Sequence, residues 1–150
     1  MRRLVLTAVM AVALLLVPVA VAATPDRYEG WLYKANGERW KGTSSLMDVR
    51  DTAFGQRFRL SVYNMRLGCP YLDKNGNQAK ARFRFIFRDG NVSGDYINDV
   101  GEFPDDGQPT HRVRVVGKFT GRRFEGRVTV RSAPGITGAC TGSARILVRG

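Results

Sequence analysis

Residues 80–88 read KARFRFIFR, with apolar and cationic side chains in strict alternation. Side chains alternate faces along a strand, so Ala81, Phe83, Phe85 and Phe87 share one side, while Arg82 and Arg84 share the other. At helical spacing the same residues would scatter around the axis and bury arginine, so a period of two is the economical reading. The pattern recurs. In RFRLSVYNM, Phe58, Leu60 and Val62 oppose Arg57, Arg59, Ser61 and Tyr63. In HRVRVVGKF, Val113, Val115 and Phe119 oppose Arg112, Arg114 and Lys118. In RRFEGRVTVR, Phe124, Val128 and Val130 oppose Arg123, Glu125, Arg127, Thr129 and Arg131, and in SARILVR, Ala144, Ile146 and Val148 oppose Arg145, Leu147 and Arg149.

Turn residues punctuate these strands. Asn36-Gly37 predicts a hairpin from GWLYK to ERWKG, where Trp31 and Trp40 can pair across strands. Asp89-Gly90 predicts a tight turn closing the strand at 80–88. DYINDV adds a further strand, and two long connections are expected, from Gly68 to Lys80 and from Val100 to Thr110. No stretch after the leader reads as an amphipathic helix. Short strands with one apolar face each predict an all-β antiparallel sandwich, with a small closed or half-open barrel as the alternative.

The first residues, MRRLVLTAVMAVALLLVPVAVAATP, change where this fold is placed. Two arginines, an apolar run and an Ala20-Val21-Ala22 site form a secretory signal peptide at 1–22, leaving a single all-β domain at 23–150. An uncleaved anchor is the competing reading of the apolar run. No cysteine sits at the cleavage site, so lipid anchoring is not expected, and the twin-arginine match is poor. The expected location is secreted or periplasmic. There the two cysteines, Cys69 and Cys140, read as one disulfide. With no third cysteine and one histidine, the sequence offers no zinc site and implies no cofactor.

The chain carries 24 basic and 13 acidic residues, a net charge of +11. Without Arg2 and Arg3 the balance is 22 to 13, or +9. Six acids fall between Asp89 and Asp106, where Lys and Arg are absent, so the remainder is more basic still. Arginine matches phosphate, sulfate and carboxylate groups bidentately. Arg82, Arg84, Arg112, Arg114, Arg123 and Arg127, with Arg57 and Arg59, are therefore candidate anion-binding residues. The expected partner is an anionic polysaccharide or cell-envelope polymer. An exposed charged face is also the ordinary state of a half-buried strand. The hairpin at 112–131 is where arginines should share one surface.

Other chemistry finds little support. The sequence has no RNA-recognition signature, which argues against nucleic acid. The acidic stretches at Asp89–Gly94 and Asp73–Asn77 imitate calcium loops, but position 12 is Val100 or Arg84, and turn chemistry explains both. His111 stands alone, without a nucleophile elbow or an H-E-x-x-H motif. A non-catalytic protein is expected. A passive structural or inhibitor-like interaction domain is the first alternative, and a small extracytoplasmic hydrolase is the second.

VVGKFTGRRFEGRVTV, then ACTG and a strand ending at Arg149, resembles a pattern common in small uncharacterised secreted bacterial proteins. In these a G-x-F-x-G hairpin precedes a late cysteine and a C-terminal strand. The resemblance extends over roughly residues 57–149 and implies a β-sandwich whose disulfide joins its early and late halves. It implies no activity.

Overall fold

A computed structural model describes residues 26–105 and 108–150. The leader read at 1–22 lies outside these residues. The described residues form eight strands and no helix. In chain order they are β1 (Asp26–Tyr33), β2 (Ser44–Thr52), β3 (Gly55–Leu72), β4 (Gln78–Asn91), β5 (Tyr96–Asp105), β6 (Gln108–Thr120), β7 (Arg123–Ser132) and β8 (Gly142–Arg149). They make one antiparallel sheet, ordered β4-β3-β2-β1-β8-β7-β6-β5. Two four-stranded meanders are thus joined along β1 and β8, and β4 and β5 are left as the edges. Of the two all-β arrangements the periodicity allows, this is the half-open barrel: a single sheet curled until its edges nearly meet.

The alternation holds along nearly every strand. Phe58, Leu60, Val62, Phe85, Phe87, Val113, Val115, Phe124, Val128, Val130, Ala144, Ile146 and Val148 are buried inside. Arg82 and Arg84 are exposed, and Phe83 is only half-buried. The interior is packed with side chains, including Leu32, Met47, Met65, Leu67 and Ile97. Apolar residues point inward and arginines outward, the reverse of a lipid-facing barrel. No helix among the described residues is long and apolar enough to cross a membrane.

Several turns fall elsewhere than expected. Asp89-Gly90 does not close a hairpin but lies within β4, at a bulge. Phe58 pairs with Gly90 and Leu60 with Phe87, so β4 carries one extra residue. Asp89 adopts φ 53° there, and Gly90 accommodates the Phe58 ring, which would lie 2.2 Å from any Cβ. The Gly68–Lys80 connection is mostly strand. Its turn is only Asp73–Asn77, where the Asp73 carboxylate accepts from the Asn75 and Asn77 amides. Val100–Thr110 is also strand at both ends. The Asn36-Gly37 turn forms, with the Gly37 amide donating to Lys34 at 3.0 Å and Tyr33 bridging Arg39, so the expected hairpin exists as a short bridge, while the ladders of β1 run to β2 and β8. Trp31 and Trp40 do not pair as expected. Trp31 lies outside beneath Arg39, at 3.9 Å from guanidinium to ring centre, whereas Trp40 packs against the core.

Beyond their turn, β4 and β5 separate. Ser93 and Tyr96 form a bridge, but at Asn91 the Asp99 carboxylate replaces a backbone acceptor, receiving the amide at 2.7 Å. Further along, rings fill the seam: Phe103 lies 5.4 Å from Phe85 and 5.8 Å from Phe87. At the end where the seam opens, Cys69 on β3 is bonded to Cys140, 71 residues away, with Cα atoms 4.0 Å apart. This disulfide, together with a Gly68–Thr141 bridge, ties the β7–β8 loop to β3.

Candidate anion-binding site

The β6–β7 hairpin turns at Gly121-Arg122 and pairs over ten positions. Gly117 faces Gly126 on its inner side, and the Phe124 ring lies over both. The outer side follows from the same register. Arg112 stands opposite Arg131, Arg114 opposite Thr129, and Val116 opposite Arg127. Four guanidinium arms therefore surround two shorter side chains. The result is an open trough of about 430 Å³ lined by Arg112, Arg114, Val116, Arg127, Thr129 and Arg131.

Charge compensation in the trough is incomplete. Arg112 is paired with Glu102 on β5 at 2.7 Å. Arg114 donates to the neutral Asn98 carbonyl at 2.9 Å, and Arg127 to the Ser143 hydroxyl at 3.3 Å. Arg131 has no carboxylate partner among the described residues. These neutral acceptors orient two guanidinium groups without cancelling their charge.

Elsewhere on the outer surface, carboxylates intervene. Five arginine pairs stand directly opposite across strands: Arg50–Arg57, Arg66–Arg82, Arg112–Arg131, Arg123–Arg149 and Arg127–Arg145. Like charges in that position repel. Asp89 pairs with Arg50, and Glu125 pairs with both Arg123 and Arg145. A second hollow, lined by Asp48, Arg50, Arg59, Arg88 and Asp89, holds two carboxylates to three guanidinium groups. Lys118 on β6 is bonded to Asp95 at 3.2 Å, and that hydrogen bond, then the carboxylate charge, raises its pKa above the ordinary lysine value.

Three of the six candidate arginines, Arg112, Arg114 and Arg127, thus share the trough. Arg123 does not; it is half-buried and turned to Glu125 at 2.7 Å. Arg82 and Arg84 lie on β4, beyond the seam and β5. Arg131 is the residue that the candidate set left out, although it belongs to the same outward-facing row. His111 is committed to structure. Its Nε2 donates to the Cys140 carbonyl at 3.2 Å, which leaves Nδ1 to accept from the Thr110 hydroxyl at 2.9 Å.

The disulfide fits an oxidising, extracytoplasmic setting. No protein-family model, no curated protein and no solved structure matches this chain.

Proposed function

We propose that this protein is a non-catalytic binding protein that holds an anionic polymer, of the polysaccharide or cell-envelope class, in the β6–β7 trough. The observation that supports it is the ratio of charges around one concavity: four guanidinium groups to a single carboxylate, Glu102. Like charges on a paired sheet repel, and a bound polyanion offsets that repulsion while accepting bidentate hydrogen bonds. Export to an oxidising compartment, where such polymers are found, belongs to the same reading.

The test is binding to heparin across a salt series, with neutral dextran as control. Affinity for heparin is expected to fall steeply as salt rises. Arg112→Gln/Arg114→Gln should weaken binding and flatten its salt dependence. Glu102→Gln, which removes the competing carboxylate, should strengthen it. Absence of binding at low salt, or binding indifferent to salt and to these substitutions, would leave the trough a solvated surface and favour a passive interaction domain.

A further inference from the structure

The barrel has a further concavity, at the end where the seam opens. β3 and β4 extend there, and the β7–β8 loop folds across from the other meander. Between them lies an open cleft of about 580 Å³, the size of a small-molecule site and at the mouth of a barrel, where such sites recur. The disulfide and the Gly68–Thr141 hydrogen bonds, at 2.9 and 2.8 Å, anchor the loop and hold the cleft open in advance.

Part of its wall is apolar. The Phe83 and His111 rings meet at 4.7 Å, and Ile136 stands opposite from the loop. Because both His111 nitrogens are engaged, the imidazole presents its ring surface instead of a hydrogen-bonding edge. Phe83 is the one phenylalanine of the 80–88 strand that is not fully buried, because it faces this opening.

Its rim is cationic. Arg82 lines the cleft directly opposite Arg66, and neither has a carboxylate partner among the described residues. Of the five opposed arginine pairs, this is the one with no compensating acid. Arg84 also lines the cleft, with its guanidinium over the Tyr63 ring of β3 at 4.8 Å from the ring centre. No carboxylate lines the cleft among the described residues.

We infer that this cleft binds an amphipathic monoanion, with its apolar body on Phe83, His111 and Ile136 and its carboxylate or equivalent head on Arg82 and Arg84. A polymer trough needs charge without a greasy wall, and a hydrophobic groove needs no arginine. Here both are built side by side. The site is separate from the β6–β7 trough and does not depend on it.

The experiment is an NMR titration of the disulfide-bonded protein with decanoate, kept below its micelle concentration. Octyl glucoside supplies a neutral chain and acetate a head group without a chain. Decanoate is expected to give saturable shifts at Phe83, His111 and Ile136. Acetate should give none, and octyl glucoside should bind more weakly, by about tenfold for its shorter chain and by roughly a further tenfold for loss of charge-assisted hydrogen bonds. Arg82→Gln/Arg84→Gln should reproduce that loss, and Ile136→Asp should weaken binding from the apolar side. Arg112→Gln/Arg114→Gln should leave it unchanged. The inference is overturned if decanoate produces no saturable shifts, if octyl glucoside binds equally well, or if the Arg82/Arg84 variant retains full affinity.

Discussion

Neighbouring residues on one strand have opposite roles in this barrel. Phe85 is 3% exposed and packs on Phe83 and Phe103, whereas the adjacent Arg84 lies outside against Tyr63. Phe85→Ala should therefore cost about 3–5 kcal/mol. Arg84→Ala should cost less than about 1 kcal/mol, the worth of an exposed cation–π contact. Urea unfolding of the two variants checks this, and comparable losses would show that the strand register is wrong. Ser45 gives the opposite case. It points inward from β2, is 3% exposed, and its hydroxyl has no partner. Removing an unpaired buried hydroxyl relieves its desolvation cost. Ser45→Ala should raise stability by about 1 kcal/mol, seen as a higher urea midpoint with unchanged slope. Ser45 also explains why β2 was not legible in the sequence: an inward serine and an outward Leu46 break the apolar–polar alternation that marks the other strands.

Where elements begin and end is set by backbone details that alternation does not carry. Asn64 and Asp89 both take positive φ at irregularities in the β3–β4 pairing, with φ 57° and 53°. Each adds a residue, so counting by twos falls out of phase past it, and Asp-Gly within a bulge looks like Asp-Gly in a turn. The trough was more legible because the β6–β7 hairpin is short and regular, so its register follows from the turn. Arg123 departs from it for a reason visible in the sequence: Glu125, two residues on, shares its face. The cleft was not legible at all, since β3, β4, β6 and the β7–β8 loop meet there only through the closure of the sheet. In the β1–β2 turn, the Lys34 ammonium hydrogen-bonds Glu38 at 2.7 Å, and this bond, then the charge, lowers the Glu38 pKa from the ordinary 4.5. A lowered carboxylate pKa contributes stability above the unfolded value, and that contribution is lost as pH falls through the folded one. Lys34→Met should return the Glu38 titration toward 4.5, read by NMR of its side-chain carboxyl carbon. A midpoint that does not move would show that the pair does not form in solution.

For the molecule as a whole, the disulfide is a second covalent link between the two meanders, besides the β4–β5 turn. It closes a span of 71 residues, for which loop-closure entropy gives a stabilisation of about 4 kcal/mol. That is a large share of the net stability of a domain this size. Reduction, or Cys69→Ala/Cys140→Ala, should lower stability by about that amount in urea unfolding. It should also release the β7–β8 loop, so amides at 136–141 should exchange with solvent faster than those of β6 and β7. Equal stability with and without the bond would mean that the unfolded chain is already compact across this span.

The order of the strands around the barrel has one more consequence. Gly150 lies against the Arg27 carbonyl and the Tyr28 ring, while β4 and β5, consecutive in the chain, share no continuous hydrogen-bonded ladder. A circular permutant running from Gly94 to Gly150, through a few-residue linker, and on from Asp26 to Ser93 would cut the barrel at its weakest seam. Every ladder between neighbouring strands would be kept. The chain would then visit β5, β6, β7, β8, β1, β2, β3 and β4 in spatial order, and the β1–β8 pairing would become a local hairpin. Fewer distant contacts imply faster folding. Such a permutant should refold faster than the parent, measured with the disulfide removed from both, and give the same near-UV circular dichroism.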